Sequence, residues 1–206
     1  MLLKTRKFLV RCLHMVNNFL VLTWSDLANL GLELAEKIQY SGYRPDVVVA
    51  VLRGGYIVAK MLCDYLGIDS IATVEIKFYK GVGERAEKPI VVTPLLHDVR
   101  DRRVMIVDDV ADSGRTLQVA VDVARLHGAK EVKTATLYLK PWSITLPDYY
   151  IGETKSWIVF PWEVSEVLRE LAKKFGGYEN AVNILRLEQH YDKKFIERMI
   201  NIAKKL

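Results

Sequence analysis

The chain is poor in cysteine, long apolar runs and repeats, and each shortage excludes something. Only two cysteines occur, Cys12 and Cys63. They stand far apart and without metal-ligand spacing, which rules out a disulfide scaffold and fits a reducing cytoplasm. Both are expected to be packed thiols rather than reactive ones. No stretch is long enough to span a membrane. Residues 1–22 are basic and apolar, as a secretion signal is. However, Arg11, His14, Asn17 and Asn18 interrupt every apolar run before it reaches the length of a signal core. The reading is a soluble, cytoplasmic protein in which Met15 offers an alternative start and residues 1–14 are peripheral. Internal repeats and low-complexity tracts are lacking. No compact basic patch interleaved with surface aromatics marks a nucleic-acid binder, and no protein nucleophile stands out. Asn and Gln are few beside Lys, Glu and Ile, a composition that hints at a thermophilic source.

What is present is apolar mass and a mild positive balance. Half of the 206 residues are apolar, so a sizeable core can form in one domain with an appendage or in two small domains. The net charge of +5 suits anionic substrates, although most of it is solvated surface.

Along the chain, Phe19–Thr23 reads as an edge strand. A helix follows with Ser25 as its cap, Leu27, Leu30, Leu34, Ala35 and Ile38 as its apolar face, and an end near Gly42. The continuous apolar run Val47–Leu52 predicts a strand buried on both faces. It leads into Arg53-Gly54-Gly55 and a second helix, through Val58, Ala59, Leu62 and Leu66 to a stop at Gly67. Ile71–Phe78 and Ile90–Thr93 read as strands around a glycine- and charge-rich loop, Tyr79–Lys88. Val132–Leu139 is a further strand. Strands alternating with helices argue for an α/β fold: a parallel sheet covered on both sides, with its site at the strands' C-terminal ends. From Lys140 to Glu163, Pro141, Pro147, Pro161 and several aromatics predict an irregular lobe with short strands. Residues 163–175, 179–189 and 192–205 read as helical, the last two as a hairpin docked on the body or on a second subunit.

Residues 104–116, Val-Met-Ile-Val-Asp-Asp-Val-Ala-Asp-Ser-Gly-Arg-Thr, organise the rest. Val104–Val107 predicts a short buried strand that ends where Asp108 and Asp109 begin, since a buried strand would strand their charge. Beyond Asp112-Ser113-Gly114-Arg115-Thr116, the residues Leu117, Val119, Ala120, Val123, Ala124 and Leu126 carry a helical period closed by Gly128. A helix start offers unpaired N–H groups and a positive dipole end to a phosphate. Ser113 and Thr116 add hydroxyl donors, Gly114 admits close approach, and Arg115 adds charge. Carboxylates beside them suit sugar hydroxyls. An ordinary turn capped by Asp112 or Ser113 would explain one polar residue, but not two further acids ending an apolar strand. The loop is equipped to hold a sugar phosphate.

This stretch resembles the phosphoribosyl-diphosphate (PRPP) signature of type I phosphoribosyltransferases, and the resemblance extends over roughly residues 20–170. It implies a type I phosphoribosyltransferase core, a small irregular hood and a C-terminal helical extension. The boundaries expected are 1–18 (N-terminal extension), 19–139 (PRPP-binding core), 140–165 (purine-binding hood) and 166–206 (extension). The family's diphosphate loop falls on Arg53, Gly54 and Gly55, with a cis peptide expected at Leu52–Arg53. Asp108 and Asp109 are implied to hold the ribose hydroxyls and, with Glu163, a Mg²⁺ ion. Asp112, Ser113, Gly114, Arg115 and Thr116 take the 5′-phosphate. Asp112 is also the general acid/base at purine N7. Tyr79 stands at the base of a lid; the family usually has Ser-Tyr there, and this chain has Phe78-Tyr79. Lys140, followed by Pro141, matches the lysine that donates to O6 in the 6-oxopurine branch. Trp157 would stack on the base, Ile158 would offer backbone groups to its edge, and Trp162 is expected in the lobe's core.

The reaction implied is a purine base plus PRPP giving a nucleoside monophosphate plus diphosphate, in purine salvage. The base is guanine, xanthine or hypoxanthine, with adenine as the alternative. The tail beyond Glu170, absent from the short archaeal-type xanthine/guanine enzymes that the chain otherwise resembles, keeps adenine open. A PRPP-sensing regulator that binds nucleic acid is the rival from another class; the apparently complete Arg-Gly-Gly loop and hood argue against it. A homodimer or higher homo-oligomer is expected, without nucleic acid or membrane.

Overall fold

The structure, a computed structural model, describes residues 19–79 and 88–205. They divide into two compact units, one of residues 28–154 and one of residues 19–27 with 155–205.

The larger unit is built on a six-stranded sheet in the order β4-β3-β2-β5-β6-β7. Its strands are β2 (Val47–Val51), β3 (Ile71–Tyr79), β4 (Lys88–Thr93), β5 (Arg103–Ala111), β6 (Glu131–Leu139) and β7 (Tyr149–Glu153). All neighbouring pairs are parallel except β3 with β4. Helix α1 (Trp24–Tyr40) precedes the sheet, α2 (Gly54–Leu66) connects β2 to β3, and α3 (Arg115–Leu126) connects β5 to β6. Every residue of β2 is buried, as its unbroken apolar run predicts. Its odd-numbered valines 47, 49 and 51 join Val104, Ile106 and the α3 residues Leu117, Ala120 and Ala124 in one apolar cluster. Alternate strand residues point to the other face, the side of α2 with its buried Val58, Ala59 and Leu62.

The sheet reverses direction of winding between β2 and β5. From β2 the chain crosses through α2 to β3 on one side, whereas β5 and β6 lie on the other. In open α/β sheets the crevice beyond the strand ends at such a switch is where ligands bind. Here the strand ends carry Arg53-Gly54-Gly55 and Asp108-Asp109.

Several elements differ from the expectation. The strand β5 does not stop at Val107. It pairs with β2 through Val107 but with β6 as far as Ala111, so Asp108 and Asp109 sit on a strand that has outrun one neighbour and kept the other. The cap of α1 is Thr23, not Ser25: Asp26 Oδ2 accepts from the Thr23 backbone N–H at 2.7 Å, and Thr23 Oγ1 accepts from the Asp26 N–H at 3.2 Å. This is a reciprocal capping arrangement that only a residue three positions before the acid completes. Leu126 is exposed, at the last residue of α3 where the apolar face has run past the sheet. The stretch 140–163 is not irregular throughout, since β7 is the sixth strand of the main sheet. The end of α1 is fastened to it. Lys37 Nζ donates to Tyr150 O at 2.8 Å, and the Ser41 and Tyr149 hydroxyls bond at 2.8 Å.

The smaller unit pairs β1 (Phe19–Val21) in parallel with β8 (Trp157–Val159), so β1 belongs to this two-stranded sheet and not to an edge of the main one. Helices α4 (Val164–Phe175), α5 (Tyr178–Leu185) and α6 (Lys193–Ala203) share one apolar cluster with it, through Val21, Val159, Leu168, Leu171, Leu185 and Ile196. The amphipathic tail therefore buries its stripe within its own unit. Phe195 and Ile202 fall outside the stripe and are exposed, Phe195 being stacked on Tyr191.

Candidate active site

Arg53 and the two glycines follow the buried end of β2, where the Leu52–Arg53 peptide is cis as expected. Gly55 lies in the first turn of α2 against the end of β5. A Cβ there would stand 2.6 Å from Val107 O and 2.8 Å from Asp108 Cα. No side chain fits, so glycine is what lets the helix start approach the acidic strand end.

Asp108 and Asp109 are half-buried at the point where β5 has lost its β2 partner. The Asp109 backbone N–H donates to Asp108 Oδ1 at 3.0 Å. Burial pushes the Asp109 carboxyl up to about 6, against the lowering effect of hydrogen bonds from backbone and from Asp108. Both are oxygen donors. Among the described residues no cluster of three or more His, Cys, Asp or Glu side chains could hold a metal. This donor set suits a hard cation that keeps waters and takes its other ligands from a phosphate-bearing substrate.

The 112–116 loop turns β5 into α3. Gly114, with φ of 76°, is the N-cap and makes no side-chain cap bond, where an ordinary turn would place Asp112 or Ser113. Ser113 Oγ accepts from the Arg115 N–H at 3.4 Å. The Arg115 guanidinium carbon lies 4.5 Å from the centroid of the Phe78 ring at the end of β3, so that ring supports the loop's cation. Tyr79 ends β3 and is exposed, while residues 80–87 of the expected lid lie outside the described residues.

Lys140 follows β6 and is buried to 5% exposure. Its backbone N–H donates to Ala111 O at 3.0 Å, which fixes it beside the acidic loop. Its ammonium lies 5.7 Å from the centroid of the Trp142 ring. Trp142 Nε1 in turn donates to Asp112 Oδ1 at 2.9 Å. Trp142 escaped the sequence reading as a functional residue. Its only signal was an indole donor two residues after the Lys140-Pro141 pair.

The larger unit thus brings together Arg53, Gly54, Gly55, Asp108, Asp109, residues 112–116 and Lys140 at the strand ends. Trp157, Ile158 and Glu163 belong to the smaller unit. Trp157 is half-buried against the helical cluster, and Ile158 is buried and pairs with Leu20. Glu163 precedes α4 without capping it by its side chain. Trp162 stacks on Phe160 with centroids 4.7 Å apart, in keeping with a packing role, and its buried indole N–H has no hydrogen-bond partner among the described residues. Cys63 is buried, and burial raises its thiol pKa; Cys12 lies outside the described residues. Among the described residues, no helix is long and apolar enough to cross a membrane.

The chain is similar to known proteins. A crystal structure of a purine phosphoribosyltransferase from Pyrococcus horikoshii is 43% identical, covers 70% of this chain and 93% of its own, and superposes with a TM-score of 0.64. A xanthine-guanine phosphoribosyltransferase from Nitratidesulfovibrio vulgaris is 30% identical over 70% of this chain and 84% of that protein. One from Gluconobacter oxydans is 28% identical over 72% of this chain and 86% of that protein. The family model for the phosphoribosyl transferase domain matches residues 22–169. With that match spanning most of its length and the signature loop at the switch point of its sheet, the chain belongs to the phosphoribosyltransferase family.

Proposed function

We propose that this purine phosphoribosyltransferase moves the 5-phosphoribosyl group of PRPP onto N9 of a 6-oxopurine, giving nucleoside monophosphate and diphosphate. Lys140 is the observation that carries the choice of base. An ammonium has three donors and no acceptor capacity, and this one is buried beside the loop that holds Asp112. A keto oxygen at C6 satisfies a donor there, whereas the amino group of adenine presents donors against a donor.

In the proposed mechanism the backbone and hydroxyls of residues 112–116 grip the 5′-phosphate at the start of α3. Arg53, with Gly54 and Gly55 admitting the ligand closely, pairs with the diphosphate. The carboxylates of Asp108 and Asp109 accept from the ribose hydroxyls. The C1′–O bond to diphosphate breaks, leaving oxocarbenium character on the ribose, and N9 forms its bond to C1′. The proton on N7 of the incoming base passes to the carboxylate of Asp112, which removes the positive charge the purine gains on bonding to C1′. Asp108 and Asp109, together with the substrate's phosphates, would hold a Mg²⁺ ion, which would neutralise diphosphate charge. Much of the acceleration comes from holding two reactants in register. A homodimer or larger homo-oligomer in the cytoplasm is the setting that the family resemblance supports.

The test is a base panel on wild type and Lys140→Met. The variant should lose about ten- to a hundredfold in kcat/KM for guanine, xanthine or hypoxanthine, the range of a hydrogen bond to a charged group. An unchanged kcat/KM would remove Lys140 from the base edge.

A further inference from the structure

We infer that Trp142 is a positioning residue for the reaction, holding Asp112 in register with Lys140 through its indole N–H. The inference rests on the role proposed above for Asp112. It starts from a pairing that neither the signature loop nor the lysine reveals alone.

Residues 140–145 run alongside residues 111–114. Lys140 N–H donates to Ala111 O at 3.0 Å, and Ile144 N–H donates to Ser113 O at 3.1 Å. Between these two backbone bonds, Trp142 Nε1 donates to Asp112 Oδ1 at 2.9 Å. Beyond them, a Cβ on Gly114 would be 2.6 Å from Thr145 N, so the two segments touch along their length. Of these contacts, only the indole bond holds a side chain to which the mechanism assigns a proton.

The chemistry of the indole fits that task. Its N–H is a donor and cannot accept. It therefore engages one oxygen of the Asp112 carboxylate as a fixed donor. The face of the same ring lies under the Lys140 ammonium at 5.7 Å, a separation at which a cation is attracted to an indole. On a 6-oxopurine, O6 and N7 are neighbours on one edge. One side chain thus touches both groups assigned to that edge, and it sets their separation.

Trp142 is 46% exposed, so a change there does not empty the core. Trp142→Phe keeps a ring face for Lys140 and removes only the donor. With saturating PRPP, its kcat should fall about tenfold, the low end for a bond to a charged partner. Its KM for PRPP should stay within about twofold. A purely structural brace of the phosphate loop would give the opposite split, raising the KM for PRPP while kcat holds, and that result would overturn the inference. The same substitution on an Asp112→Asn background provides a second reading, with thermal unfolding confirming that each variant is folded. If Trp142 acts through Asp112, the second change adds less than about twofold to the loss. A full tenfold further loss would overturn the inference as well. Full activity of Asp112→Asn alone would instead remove the general-base reading on which the inference rests, so the two failures are distinct.

Discussion

Replacing Gly55 by alanine tests whether the close approach of α2 to β5 builds the site. The added Cβ would stand 2.6 Å from Val107 O, 2.8 Å from Asp108 Cα and 3.0 Å from Asp108 Oδ1. Two of these are backbone atoms of a strand paired on one side to β2 and on the other to β6, and neither rotates away. Either the helix start or the end of β5 has to move, and both carry groups assigned to the ligand in the proposed mechanism. Overpacking of this kind costs about 1–3 kcal/mol, from which the helix preference of alanine over glycine recovers about 0.5–1 kcal/mol. The net loss of up to about 2.5 kcal/mol lowers Tm by up to about 10 °C in a chain of this size. Displacing Asp108 should cost more in function than in stability, with kcat/KM for PRPP falling at least about tenfold.

Gly31→Ala is the matched control. Its Cβ would stand 2.5 Å from Met61 Cε, as close as at Gly55, but the obstacle is the end of a flexible side chain. Gly31 lies inside α1, so the substitution should leave Tm unchanged or raise it by a degree or two, with wild-type kinetics. Scanning calorimetry and PRPP saturation curves read both variants. Equal costs at the two positions, or a Gly55→Ala protein with wild-type Tm and PRPP kinetics, would refute the steric reasoning.

Gly114→Ala forces an alanine to φ of 76° and drives its Cβ to 2.6 Å from the Thr145 backbone N. Saturation curves should show a KM for PRPP raised about tenfold or more, with a smaller effect on the KM for base. Asp46 accepts from the Arg103 guanidinium at 2.7 Å and 3.1 Å and from its backbone N–H at 2.8 Å, and these bonds lower its carboxyl from 3.8 to about 2. A depressed folded-state value contributes stability that is present above the unfolded value and lost as pH falls through the folded one. Urea midpoints of wild type and Asp46→Asn should therefore differ at pH 5 and converge towards pH 2. A difference that is constant with pH would contradict this.

The loop after β5 was legible because its chemistry is local: an apolar run, paired acids and a helix start stand consecutively in residues 104–116. The extent of β5 was not. Whether Asp108 to Ala111 remain strand depends on β6 lying alongside after β2 has ended, and that pairing joins residues far apart in sequence. The same holds for β7, whose Tyr149–Glu153 reads as part of an irregular lobe until β6 provides its partner. The position of β1 was hidden likewise, since Phe19–Val21 pairs with a strand near residue 158. The cap of α1 failed for a local reason. Thr23, Ser25 and Asp26 are all competent caps, and only the spacing of three between Thr23 and Asp26 closes both bonds. Trp142 was invisible as a functional residue because an aromatic after Lys140-Pro141 reads equally well as packing, and only its bond to Asp112 separates the two.

The central claim is that this site joins PRPP to a 6-oxopurine, and product formation tests it directly. Wild-type protein is incubated with PRPP, Mg²⁺ and adenine, guanine, hypoxanthine or xanthine separately, and nucleoside monophosphate is quantified for each. Nucleotide from the 6-oxopurines, with adenine at least about tenfold poorer in kcat/KM, is the predicted result. Turnover of adenine alone would contradict the assignment of Lys140, and no product from any base would contradict phosphoribosyl transfer itself.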